Sequence, residues 1–215
     1  MNTHAPRARS PVPPSRDAPG PAKVPLARDR RPSQTAGMPT RPRAARRPAR
    51  PVTVRDARAE EVFALARMGA RLARAHHRMD PARFFLPDEP IEDGYAWWLG
   101  KELVNPRAVV LVAVRKSRVL GYAYGRIEKR DWNTLREKCA VGVDLWVEPR
   151  ARRAGVGRRL VEALVERFAA RGEQRLVIHV AAANEIALRV FAGTGFRRTV
   201  VELARELGPA AKARR

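Results

Sequence analysis

Cysteine is nearly absent from this chain: its 215 residues include one, Cys139. That excludes a disulfide framework and a cysteine-based zinc site. Histidine is scarce too, with four residues, and the adjacent pair His76-His77 cannot share one helical face. No metal is therefore expected. No apolar run approaches the ~18 residues that a membrane span needs. No apolar segment follows the N-terminus as a signal peptide requires, so the expectation is a cytoplasmic protein with no membrane partner. Acidic residues are also in short supply, 22 against 44 Lys and Arg, for a formal charge of +22.

The charge is uneven. Residues 1–51 contain 12 of the Lys and Arg residues, 2 acidic residues and 12 of the 18 prolines. Such a segment has too little to bury to offset the entropy of ordering it. It is expected to be a disordered basic tail, and Met38 offers an alternative start that leaves translation of residues 1–37 open. The stretch RPRAARRPAR (41–50) could meet nucleic acid or an acidic partner through charge alone. No aromatic residue is interleaved with these arginines, so stacking on bases has no support. One domain is expected over 52–207, with a flexible basic C-terminus over 208–215.

Within that domain VTVR (52–55) alternates as a strand, and Asp56 is placed to cap a helix bearing Val62, Leu65, Ala66, Gly69 and Leu72. A loop over 77–90 leads to a second helix from Gly94 to Leu103. Ala108–Val114 and Val119–Ile127 read as a hairpin, and Val141–Val147 as a further strand. A helix follows with Leu160, Leu164 and Phe168 on one stripe, then a strand over Arg175–Val180. Asn184 can cap a helix carrying Ile186, Ala187, Val190 and Phe191, which ends at Gly195. Phe196 to Leu203 reads as a last strand. The expected class is α/β, a mixed central sheet flanked by helices in the order β-α-α-β-β-β-α-β-α-β.

Chemistry concentrates after the strand ending at Val147. An Arg- and Gly-rich turn precedes a helix, whose first N–H groups and positive dipole end suit a phosphate. Gly155 and Gly157 permit close backbone approach, and Arg152, Arg153, Arg158 and Arg159 add charge. The pattern is not a P-loop, since no Lys-Ser/Thr pair follows the glycines. Nor is it a dinucleotide fingerprint, because Leu160 stands where a third glycine would fall.

Arg152-x-x-Gly155-x-Gly157 after a strand ending Val-x-Pro resembles the acetyl-CoA loop of the GNAT superfamily of N-acetyltransferases. Asn184-x-x-Ala187-x-x-Val190-Phe191-x-x-x-Gly195-Phe196 resembles that family's next helix, and His77-Arg-Met-Asp80-Pro81-x-Arg83-Phe84 resembles an early loop of many members. The resemblance spans about 52–205. It implies acetyl-CoA as co-substrate, with its pyrophosphate cradled by the backbone of Arg153, Ala154, Gly155, Val156, Gly157 and Arg158, and Arg152 nearby. It implies that the edge of Leu145, Trp146 and Val147 pairs with the pantetheine arm, and that this strand and the next splay apart to seat the thioester. Asn184 and Phe191 would then line the arm. The implied acceptor is a small-molecule or peptide amine, and a homodimer is left open.

In that setting Asp144, on the central strand just before the pairing edge, is the candidate base that takes a proton from the amine. One departure matters. Many relatives carry Tyr where this chain has Phe191, and Phe cannot protonate the departing thiolate. Tyr122, Tyr124 or water are alternative donors, and a CoA-binding sensor without turnover is an alternative function. His179 is expected in the core. Cys139 is expected to be inert, and Asp88–Asp93 a solvated acidic run. Trp97 and Trp98 either cover the acceptor site or pack in the core.

Overall fold

Every residue from Ala108 to Val114 is buried in a computed structural model that describes residues 51–88 and 90–208. Of the tail expected over 1–51, residues 1–50 lie outside the described residues, as do residues 209–215 of the C-terminus expected over 208–215. A strand buried along both faces must be covered by helices on both sides. Val110, Val112 and Val114 point into one cluster with Leu65, Met68, Leu72 and Leu99, whereas Val109, Leu111 and Ala113 point into another with Leu160, Leu164 and Phe168.

The elements in chain order are β1 (Thr53–Asp56), α1 (Val62–Met79), α2 (Ile91–Leu103), β2 (Ala108–Arg115) and β3 (Arg118–Glu128). Then come β4 (Cys139–Val147), α3 (Val156–Ala169), β5 (Leu176–Ile178) and α4 (Glu185–Ala192). They form a five-stranded sheet in the order β1-β2-β3-β4-β5, antiparallel except for the parallel β4–β5 pair. The α1–α2 pair covers one face and α3 the other, so the expected mixed α/β class holds.

Several expectations need correction. Asp56 does not cap α1. It ends β1, where its carboxylate accepts from Arg167 Nη1 at 2.6 and 3.0 Å. A short 3-10 turn over Ala59–Glu61 leads into α1 instead, held by Glu61, which accepts from the Arg58 N–H at 2.9 Å and from Arg55 at 2.7 and 2.9 Å. Helix α1 runs on through His76 and His77, and α2 begins three residues before Gly94.

The last strand, expected over Phe196 to Leu203, does not form; residues 196–207 have no regular structure. Val200, Val201 and Leu203 are 84, 72 and 90 % exposed. They fall on both faces of any strand drawn through them, so pairing would bury no single apolar face. The end of α4 also differs. The helix stops at Ala192, and Gly195, at φ +88°, turns the chain so that Phe196 N–H returns to the Phe191 carbonyl at 3.0 Å.

Candidate functional site

The site begins with a slip in strand register. Tyr124 of β3 pairs with Asp144, but the next residue, Gly125, pairs with Gly142. Val143 is left without a counterpart, a β-bulge, and is 42 % exposed. The bulge reverses the parity of β4: even-numbered Ala140 packs with the α3 cluster before it, and odd-numbered Leu145 and Val147 do so after it. On the other side of β4, pairing with β5 ends at Gly142–Ile178. From Val143 to Val147 the β5-side edge has no strand partner among the described residues. The two strands therefore part at the bulge, as the resemblance implies.

A cleft of about 60 Å³ lies where they part. Leu72, His76 and Asp144 line it from the α1 side, and Ala123, Leu145, Leu164, Ala187 and Phe191 from the α3–α4 side, so the opening reaches both faces of the sheet. Asn184 lines it too, and its Oδ1 accepts from the Ala187 N–H at 3.1 Å, which is the expected helix cap. Phe191 is buried and meets Phe196 edge-on with centroids 5.6 Å apart.

Asp144 is the buried acidic residue of the cleft, and its Oδ2 accepts from the Tyr122 hydroxyl at 2.7 Å. Burial pushes its carboxyl up to about 6, against a smaller downward pull from that hydrogen bond. The Tyr122 hydroxyl is itself pushed well above its ordinary value, chiefly by burial and then by the carboxylate. The Tyr124 hydroxyl donates to Glu102 at 2.6 Å. Both hydroxyls proposed as alternative acids are thus committed to carboxylates.

The second half of the site is the turn after β4. Arg153 and Gly155 adopt left-handed conformations, with φ +60° and +75°, and α3 starts at Val156. The backbone N–H groups from Arg153 to Arg158 meet no acceptor among the described residues; the first bond into the helix is Arg159 N–H to the Gly155 carbonyl, 3.1 Å. Such a concave run of free donors suits an anion. A Cβ on Gly157 would lie 3.6 Å from Val147 Cγ2, so bare backbone faces the end of β4. The arginines are less free than the sequence suggests. Arg152 Nε donates to the Val147 carbonyl at 2.9 Å, Arg158 Nε to Glu162 at 2.7 Å, and Arg159 Nη1 to the Val52 carbonyl at 3.1 Å.

Other expected residues fall elsewhere. His179 is not in the core: β5 ends before it, and it sits exposed on the cleft rim. His76 was not expected at the site. It stacks on Phe84, centroids 5.0 Å apart, and burial lowers its pKa. His77 Nδ1 contacts the Phe84 carbonyl at 2.6 Å. Trp97 is exposed beneath Lys101, and Trp98 packs against Tyr95 and Tyr124; neither lines the cleft. In the acidic run Glu92 is paired with Arg74 at 2.7 Å. Cys139 is buried beside the Arg136 guanidinium, 3.2 Å away. Among the described residues no cluster of three or more His, Cys, Asp or Glu is placed to hold a metal, and no helix is long and apolar enough to cross a membrane.

A family model described as the acetyltransferase (GNAT) family matches residues 72–196, more than half of the chain. The chain belongs to the GNAT acetyltransferase family. That range runs from α1 through the turn after β4 to the Gly195-Phe196 pair. Curated proteins provide no match. Among solved structures, a tetramutant of the BH1408 protein from Bacillus halodurans is 20 % identical, with TM-score 0.62 over 72 % of this chain and 99 % of that one. A predicted acetyltransferase with acetyl-CoA from Clostridium acetobutylicum is 15 % identical, with TM-score 0.57 over 73 % and 96 %. An aminoglycoside acetyltransferase from an uncultured soil metagenomic sample, in complex with sisomicin, is 19 % identical, with TM-score 0.52 over 73 % and 97 %. At these identities the likeness is one of fold. Family membership makes the chain an acyltransferase of the acetyl-transferring class.

Proposed function

We propose that this GNAT protein moves the acetyl group of acetyl-CoA directly onto a primary amine, with Asp144 as general base. The observation that carries the reading is the bulge at Val143, which opens the β4 edge beside a buried carboxylate, on the strand whose far end meets the free N–H groups of Arg153 to Arg158.

Those residues fit acetyl-CoA. The turn offers donors and bare glycine backbone to a pyrophosphate, with Arg152 and Arg153 beside it. The edge of Leu145, Trp146 and Val147, which has no strand partner among the described residues and whose Val147 carbonyl is held by Arg152, offers strand-like hydrogen bonds to the amide-bearing pantetheine arm. Asn184 and Phe191 flank the arm in the cleft. The acceptor enters from the α1 side, where Asp144 lies.

An alkylammonium ion has a pKa near ~10 and must lose a proton before it attacks. Asp144 takes that proton. The amine nitrogen then bonds to the acetyl carbon, the carbon–sulfur bond breaks with its electron pair going to sulfur, and the nitrogen's second proton ends on the thiolate. Asp144 returns its proton to solvent. A thiolate with a pKa near ~8.5 leaves without a strong acid, which accommodates Phe191.

Calorimetric CoA binding together with CoA release across an amine library tests this. Asp144→Asn is expected to cut the maximal rate by about 10²–10⁴-fold and to keep CoA affinity. A parental rate in that variant would move the base elsewhere. Tight CoA binding with no turnover of any amine would favour the sensing function that Phe191 suggests. Loss of CoA binding altogether would remove the cofactor assignment.

A further inference from the structure

We propose that Tyr122 is the positioning residue of the transfer centre, its hydroxyl aiming the Asp144 carboxylate at the open bulge of β4. The inference rests on Asp144 as the base and goes beyond it by saying what holds that base in place.

On an antiparallel ladder a carboxylate can meet the residue directly across from it or a diagonal neighbour. Here the residue across from Asp144 is Tyr124, whose hydroxyl is 2.6 Å from Glu102 and is used there. Tyr122 lies across from Trp146 and reaches Asp144 diagonally, hydroxyl to Oδ2 at 2.7 Å. Tyr122 is fully buried in the cluster that contains Leu72, Trp146 and Tyr124, so its ring has no room to swing. The carboxylate is held by a hydroxyl that cannot move away, next to the residue that the bulge leaves unpaired.

The groups that face Asp144 can be named from each element packed around it. Strand β3 contributes the two tyrosines. Helix α2 contributes Tyr95, a half-buried phenol whose ionisation is opposed chiefly by burial and then by Asp144. Helix α1 contributes His76 at the cleft, and the chain beyond β5 contributes His179. No Lys or Arg hydrogen-bonds to Asp144 among the described residues. A neutral hydroxyl is thus the group that favours the ionised carboxylate, while burial opposes it. The balance leaves a carboxylate that is charged at neutral pH and still basic enough to accept a proton. A lysine or arginine in the same place would hold the proton affinity too low for the task.

The test uses the full chain with carboxyl-¹³C aspartate. Asp144→Asn identifies the Asp144 resonance, and the parent, Tyr122→Phe and Tyr124→Phe are titrated by NMR. In parallel, the pH profile of CoA release is followed with n-butylamine, spermidine and sisomicin as probes. Tyr122→Phe keeps the ring and its packing and removes only the hydroxyl. It is expected to move the Asp144 inflection upward by about one pH unit, with the rate profile moving in step. Tyr124→Phe is expected to leave the inflection in place, because its hydroxyl serves Glu102. A Tyr122→Phe inflection at the parental pH overturns the positioning role, even where Asp144→Asn is slow and the base reading stands. A shifted Asp144 titration with an unshifted rate profile overturns it as well. A parental rate in Asp144→Asn overturns the base reading itself, and the inference with it.

Discussion

The guanidinium carbon of Arg152 stands 4.8 Å from the centroid of the Trp146 ring, while its Nε donates to the Val147 carbonyl at 2.9 Å. One side chain thus ties the turn back to the last residues of β4, and its outer nitrogens have no hydrogen-bond partner among the described residues. Arg152→Ala is expected to weaken CoA binding about tenfold, the size of one charge-assisted hydrogen bond at ~1.5 kcal/mol. Arg152→Lys is expected to recover part of that loss, since an ammonium restores charge without the fork that serves both carbonyl and ligand. Calorimetry at low and high salt checks this: the Ala effect should shrink as salt screens the exposed charge. Equal affinity for all three proteins at low salt would take Arg152 out of the binding turn.

The two glycines of the turn should separate stability from binding. Gly155 sits at φ +75° with open space around it, so Gly155→Ala meets no neighbour but must adopt a left-handed conformation, at about 1–2 kcal/mol. Gly157 lies in the first turn of α3, where a Cβ would make ordinary contact with Val147, so Gly157→Ala should hold or raise stability by up to ~1 kcal/mol. Both are expected to weaken CoA binding by standing between ligand and backbone. Thermal unfolding and CoA titration of the two variants read the two effects apart. A Gly157→Ala protein that binds CoA like the parent would show that the ligand does not approach there.

The turn was legible in the sequence because its chemistry is local. Glycine spacing, arginines and the following apolar stripe lie within a few residues, and the free N–H groups follow from any helix start. The neighbourhood of Asp144 was not. Val141, Val143, Leu145 and Val147 alternate as if one face ran the length of β4, and only the register with β3 reveals that parity reverses at Val143. Tyr122 was visible as a phenol near the site, but its partner depends on how β3 and β4 are registered, which the sequence does not show. The strand expected over Phe196 to Leu203 does not form, and local sequence says nothing about whether a sheet edge will accept it. His179 was misplaced for a related reason: the apolar run suggested a longer strand, yet pairing with β4 stops at Ile178, where the cleft opens.

The α1–α2 face allows a direct check on packing. A Cβ on Gly69 would lie 2.3 Å from Tyr95 Cδ1 and 2.4 Å from Cε1, so α1 admits the Tyr95 ring only because that position has no side chain. Gly69→Ala is expected to destabilise the domain by about 1–3 kcal/mol, the range for overpacking, despite alanine's better helix propensity. Gly100→Ala, in the last turn of α2 with open space around it, is the control and is expected to gain stability. Thermal unfolding of both proteins decides the matter. A Gly69→Ala variant as stable as the parent would mean that the Tyr95 ring swings aside without loss.

Asp144 should carry a cost in stability that its replacement reveals. Its folded value of about 6 lies above the ordinary 3.8, so between those limits the folded chain binds more protons than the unfolded one. Stability therefore falls as pH rises through that window, and the full cost, on the order of 3 kcal/mol, is present above about pH 6. Asp144→Asn removes the titration and keeps an oxygen to accept from Tyr122. It is expected to melt higher than the parent at about pH 7.5, by roughly 6–12 °C at ~2–4 °C per kcal/mol. Near pH 4 the gap should close, because the parental carboxyl is then protonated in the folded chain. Melting curves across that range, set beside the rates, test both halves of the argument. An Asn variant less stable than the parent at neutral pH would show that the ionised carboxylate is paired with a cation, and would remove the basis for its raised proton affinity.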